Sequence, residues 1–115
     1  MNSASRASHS SLENAINSGP PPEGNLAIPV FGHGSMEAEL YLPEAIDPQS
    51  PHTRDEIYIV AKGFGKFFDG ETIIDVKEGS FIFVPAGTGH RFLDFSKGFA
   101  VWVIFYGPEG GESKA

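Results

Sequence analysis

The sequence has no cysteine, which excludes disulfides, zinc–thiolate sites and thiol nucleophiles and fits a reducing compartment. It also lacks long apolar runs. No stretch approaches the ~20 residues a membrane span requires, and the N-terminus has no signal-peptide core. Basic residues are scarce: eight Lys and Arg against fifteen Asp and Glu leave a formal charge of −7, with no block of like sign. Nucleic acids and anionic membranes both demand clustered Lys and Arg, so neither is an expected partner. These absences leave a soluble, cytoplasmic protein as the expectation.

What is abundant is Phe, with ten copies, together with 14 Gly and 9 Pro. Many aromatics among many turn formers indicate short strands joined by tight turns. A chain of 115 residues accommodates one domain. Residues 1–24 differ from the rest in being rich in Ser, Asn, Pro and Gly. Within them, Ser10-Ser11-Leu12-Glu13 has capping-box spacing, which predicts a short helix from about Ser11 to Asn17, ending before Gly19 and Pro20-Pro21-Pro22. A helix so short needs a surface to pack on; otherwise the segment is a disordered tail. The expected division is an N-terminal tail over 1–24, a β domain over 25–107 and a C-terminal tail over 108–115.

Strand patterns fill 25–107. Leu26–Val30 comes first, then Ser35–Leu42, in which Met36, Ala38, Leu40 and Leu42 alternate with Glu37, Glu39 and Tyr41. After a Pro-punctuated loop come Glu56–Lys62, Lys66–Phe68, Thr72–Val76, Ser80–Val84, His90–Asp94 and Phe99–Tyr106. Asp69-Gly70 carries the signal of a two-residue hairpin, both of whose central positions need positive φ. Seven or eight short strands without a helical period predict an all-β sandwich or closed barrel. The last strand is apolar on both faces, with Phe99, Val101, Val103 and Phe105 opposite Trp102, Ile104 and Tyr106. One face therefore needs a second sheet or a second subunit, and a homodimer with Trp102 and its neighbours at or near the interface is the expected assembly.

Two histidines stand in a context that implies chemistry. His52 follows Pro51 at the mouth of a strand, and Glu56 lies four residues on, so both side chains fall on one side of an extended segment. His90 follows the turn Pro85-Ala86-Gly87-Thr88-Gly89, again where a strand begins. Two imidazoles and one carboxylate at strand mouths make a set that can hold Fe, Mn, Zn or Ni with positions left open. Singly, each is an ordinary hydrogen-bonding residue; the joint spacing carries the reading. By the same parity Tyr58, Val60 and Phe92 point inward, making Glu56 and Tyr58 the candidate catalytic groups. Arg54 suits either an anionic substrate or an exposed loop. His33, between two glycines, reads as a turn residue and His9 as a solvated one.

The segment from Pro51 to Gly63 resembles the first motif of the cupin superfamily, G-x5-H-x-H-x3,4-E-x6-G, with Glu56 and Gly63 in register. Gly79 to Asp94 resembles the second, G-x5-P-x-G-x2-H-x3-N, with Gly79, Pro85, Gly87 and His90 in register and Asp94 in place of the usual Asn. The resemblance implies a single jelly-roll barrel. It also implies one divalent metal ion per chain, held by His52, Glu56 and His90. The first motif histidine is replaced by Ser50, a poor ligand, which leaves three protein ligands with Gln49 as a further candidate. A metal-free site is the alternative.

Cupins include dioxygenases, isomerases, decarboxylases and binding domains, so the resemblance implies a metal and a small-molecule ligand more firmly than a reaction. A metal-dependent oxygenase or isomerase is the first expectation. A non-catalytic ligand-binding or sensing module is the second, and a metal-free epimerase type, needing a free His base, is a third.

Overall fold

The N-terminal helix forms because the sequence supplies a cap and a surface. α1 (Leu12–Asn17) starts at Ser11, whose hydroxyl accepts a hydrogen bond from the Asn14 N–H at 2.9 Å. The cap is thus one residue later than the Ser10–Glu13 spacing suggests, and Ser10 donates its hydroxyl to the Ser11 carbonyl instead. Six residues cannot hold a helix in water alone. Here Ala15 is buried with Leu40 and Ala100, and Leu12 and Trp102 pack around them. The computed structural model describes residues 6–45, 47 and 51–113.

Eight strands follow among these residues: β1 (Ala27–His33), β2 (Met36–Tyr41), β3 (Asp55–Lys62), β4 (Phe64–Phe68), β5 (Ile73–Lys77), β6 (Phe81–Val84), β7 (Arg91–Leu93) and β8 (Ala100–Tyr106). They form a five-stranded sheet, β1-β2-β8-β3-β6, and a three-stranded sheet, β5-β4-β7. This is the jelly-roll predicted from the strand pattern. Two turns differ from expectation. β1 runs on to His33, which pairs with Met36, so His33 closes a strand and the turn is Gly34-Ser35. The β4–β5 connection is four residues, Asp69 to Thr72, with Gly70 at φ 99°. The Asp69 carboxylate accepts hydrogen bonds from the Glu71 and Thr72 N–H groups, and this side-chain turn displaces the two-residue hairpin.

The core lies between the sheets. Tyr58 and Val60 from β3 meet Phe67 of β4, Phe92 of β7 and Val101 and Val103 of β8. The Phe92 ring sits 5.0 Å from those of both Tyr58 and Phe67, in the tilted contacts aromatic quadrupoles favour. The inward parity of Tyr58, Val60 and Phe92 holds, as each is buried.

Helix α1 decides which way β2 faces. It packs on the outer side of the large sheet, so the apolar set of the β2 alternation, with Leu40 at its centre, lies outside under the helix. The other set turns inward, and Tyr41 belongs to the inter-sheet core. β8 also has two occupied sides: Val101 and Val103 face the core while Trp102 packs toward α1. Beyond the helix, part of the outer face stays bare. Phe81 and Phe83 on β6 are 65% and 50% exposed, and they lie opposite Ile59 and Ile57, which lie opposite Trp102 and Ile104.

Candidate metal centre

Three chain segments converge at one end of the barrel. Asp55, the first residue of β3, is buried, and its carboxylate accepts hydrogen bonds from the N–H groups of Ala86 at 3.0 Å and Glu112 at 2.8 Å. Those two bonds, Glu112 first, hold its carboxyl below the usual range despite the opposing effect of burial. The loop from Pro85 to Gly89 is thereby tied to the strand that carries Glu56. Gly87 adopts φ 81°, which a β-carbon would disfavour, and its N–H donates to the His52 carbonyl at 2.7 Å. The turn glycine and proline of the sequence motif thus place His90 beside His52.

The His90 ring is fixed at both nitrogens. Nδ1 lies 2.8 Å from the Thr88 carbonyl, which can only accept, so Nδ1 carries a proton. Nε2 lies 2.9 Å from the Tyr58 hydroxyl and 3.0 Å from Glu56 Oε1. Glu56 is 1% exposed, and among the described residues neither of its carboxylate oxygens has a hydrogen-bond partner of normal geometry. An imidazole lone pair and a buried carboxylate this close repel unless a cation, a proton or a metal ion, lies between them. Burial alone would depress the His90 pKa. The Glu56 carboxylate, the Thr88 carbonyl and the charge of Asp47 outweigh it, and the net shift is upward.

His52 supplies the third donor. Its Nε2 is 3.9 Å from Glu56 Oε1, and its side chain is 36% exposed, so the site opens to solvent on the His52 side. The Phe105 ring meets His52 edge-on at 5.0 Å. One ligand atom from each of His52, Glu56 and His90 lies within 4.8 Å of the others. Two imidazole nitrogens and a carboxylate suit a divalent transition metal, and the buried Glu56 oxygens, which accept no hydrogen bond of normal geometry among the described residues, are the demand such an ion satisfies. The residues present therefore fit a metal ion.

Sequence comparison matches this geometry to a known family: the model of the cupin domain matches residues 39–106. The chain belongs to the cupins. A curated relative, the uncharacterized protein SCO3923 of Streptomyces coelicolor, is 38% identical over 77 residues, covering 65% of this chain and 73% of that protein. Among solved structures, TT1209 from Thermus thermophilus is 28% identical with a TM-score of 0.62, over 75% of this cupin and 86% of that chain. A cupin-2 domain protein from Shewanella frigidimarina has a TM-score of 0.68 at 14% identity, over 84% and 93%.

The structure brings His52, Glu56, His90 and Tyr58 together as the sequence predicts. Gln49 and Ser50 lie outside the described residues. Arg54 does not reach the site: its guanidinium binds Glu37 at 3.0 Å, the Gly107 carbonyl at 3.1 Å and the Ser35 carbonyl. His9 is exposed, as expected, and with His33, which is also exposed, lines a separate surface pocket that includes Met36. A cavity of about 730 Å³ is lined by Leu42, Lys62, Phe95 and Phe99 among others, and none of the candidate ligands is among its described lining residues.

Sequence reasoning missed three acids. Asp55 and Asp47 are buried, and Glu39 is half-buried on the inward face of β2. The β2 alternation does carry the Glu39 signal, because one face of it had to point into the barrel. Its direction depends on α1, which hides the apolar face from outside.

Proposed function

We propose that this cupin is a metal-dependent enzyme of the oxygenase or isomerase type, acting on a small organic substrate at the barrel mouth. His52, Glu56 and His90 would hold one divalent ion, Fe, Mn, Zn or Ni. The observation that supports this most is Glu56, a buried carboxylate that accepts no hydrogen bond of normal geometry among the described residues and lies 3.0 Å from an imidazole nitrogen. Structure alone gives no reason to maintain so costly a group, whereas a metal site does. When bound, the ion supplies Lewis-acid polarisation or, if redox-active, oxygen chemistry. The Thr88 carbonyl sets the His90 tautomer so that Nε2 faces inward. Tyr58 holds a phenolic proton 2.9 Å from that nitrogen, where it can be given to or taken from a bound substrate. The Phe67 and Phe92 rings pack against Tyr58 and exclude water from the floor of the site.

The test is metal content followed by turnover. Purified or reconstituted protein should carry about one ion per chain, and uptake should weaken as pH falls through the imidazole range near ~6.5. A screen of diketones, phenols and polyols under oxygen should yield a substrate whose turnover Glu56→Ala abolishes while circular dichroism stays that of the parent. Metal bound with no turnover on an iron-loaded sample would turn the reading to a ligand-binding module.

We further propose that the cupin is a homodimer. Trp102 is engaged with the α1 cluster, so the bare patch centres on Phe81 and Phe83, with Ile57, Ile59 and Ile104 beside them. The two Phe side chains alone leave roughly 200 Å² of apolar surface in water. A two-fold axis would bury the patch against itself, doubling the gain. Light scattering should give about twice the 12.4 kDa chain mass, and Phe81→Glu with Phe83→Glu should halve it. A monomeric parent would sink the proposal.

A further inference from the structure

The strand register sets out the inner wall of the mouth row by row. Glu39 of β2 is level with Val103 of β8, and Val103 with Tyr58 of β3; one row toward the rim, Glu37, Phe105 and Glu56 align in the same way. Glu39 therefore stands two strands from Tyr58, about 10 Å away at the backbone, on the same face. It lines a pocket of about 180 Å³ with Leu26, Tyr41, His52, Val103 and Phe105. The pocket thus lies directly beside the exposed metal-ligand candidate, on the open side of the site.

Glu39 is unspent. Among the described residues it has no hydrogen-bond or ion-pair partner, in contrast to Glu37, which holds Arg54. Arg54, the cation that chain parity aimed inward, is committed to Glu37 and to the carbonyls of Gly107 and Ser35. Among the described residues no Lys or Arg lines the pocket. Partial burial pushes the Glu39 carboxyl upward first, and the nearby negative charges of Glu37 and Glu56 add to it.

We infer that Glu39 is a specificity residue: the ligand bound at this site presents an ammonium or other hydrogen-bond-donating group to Glu39, and ligands with a second anionic group are rejected. The inference rests on the metal-site reading and names the class of ligand it serves. Attraction comes from a partnerless carboxylate in a partly desolvated pocket. Rejection comes from the same carboxylate, because a phosphate or carboxylate would be driven against Glu39 with no Lys or Arg among the described lining residues to receive it. A ligand that holds a metal by one end and carries an amine or hydroxyl at the other satisfies both.

Three hydroxamic acids of equal length test this, since each chelates through the same group and differs only at the far end. β-Alanine hydroxamate ends in ammonium, butanohydroxamate in methyl and succinic monohydroxamate in carboxylate. Titrated into the Co(II)-loaded protein and followed by the cobalt visible spectrum, the ammonium probe should bind about tenfold or more tighter than the carboxylate probe. In Glu39→Gln that gap should shrink to about twofold or less, because the amide keeps the shape and loses the charge. Cobalt stoichiometry and the probe-free spectrum report the metal site separately. Equal affinity of the two charged probes in the parent, or a gap that persists in Glu39→Gln, overturns the inference and leaves the metal reading standing. Failure of the protein to bind cobalt overturns the metal reading, and this inference with it.

Discussion

Glu56→Gln should abolish metal binding and, at the same time, raise the melting temperature of the metal-free protein. Glu56 is 1% exposed and, among the described residues, its oxygens lack hydrogen-bond partners of normal geometry, so the metal-free fold bears the desolvation of a carboxylate that a cation offsets. Replacing a buried ion pair by neutral groups of similar volume is often stabilising, by about 1–4 kcal/mol. Gln preserves the volume and removes the charge. In a domain this small each kcal/mol is worth roughly 4–8 °C in Tm. His90→Ala should also abolish metal binding but destabilise the metal-free fold by about 3–5 kcal/mol, because it leaves Glu56 charged and alone.

The pH dependence separates the two variants further. His90 has a raised pKa in the fold, so its contribution is fully present below the unfolded value near ~6.5 and is lost as pH rises through the folded value. Metal-free parent protein should therefore lose stability as pH rises above ~6.5, and Glu56→Gln should flatten that slope. Thermal melts in chelator across this range, with metal analysis alongside, give the answer. A Glu56→Gln protein that melts below the parent, or still binds an ion, would remove the strongest support for the metal centre.

The candidate triad His52, Glu56 and His90 was legible because much of its geometry is local. His52 and Glu56 share one extended segment, and His90 follows a proline–glycine turn in which Gly87 takes the positive φ. The eight strands were legible for the same reason, since alternation and turn residues act over a few positions. What could not be read depended on distant packing. Glu39 turns inward because α1, some twenty residues earlier in sequence, takes the apolar side of β2. The Asp69-Gly70 hairpin failed because one carboxylate found two backbone donors nearby. Arg54 had inward parity, yet the Ser35 and Gly107 carbonyls drew it to the rim.

Asp47→Ala should cost the fold about as much as truncating a buried aromatic residue. Asp47 lies in the Pro-punctuated loop that the sequence left without structure, and it is buried. Its carboxylate accepts one hydrogen bond from the Tyr41 hydroxyl and another, at 2.7 Å, from the Phe92 N–H. Burial, then the bond to Asp47 and its charge, push the Tyr41 phenol above its ordinary range. That protonated phenol favours the fold below its unfolded pKa near ~10 and ceases to do so as pH rises through the folded value. Asp47→Ala would leave two buried donors without acceptors, at about 1–3 kcal/mol each, so a loss of roughly 3–5 kcal/mol is expected. Asp47→Asn should cost less, since one oxygen still accepts and the Tyr41 hydroxyl can turn to receive the amide. The site would register the change as well, because Phe92 stands two residues after His90 and Asp47 holds its backbone. Asp47→Ala should therefore weaken metal binding even under conditions where the barrel remains folded, with Asp47→Asn between it and the parent. Urea titrations of both variants, paired with metal titrations below the unfolding transition, measure the two effects separately. Parent-like stability in Asp47→Ala would show that this carboxylate does not anchor the loop to β7.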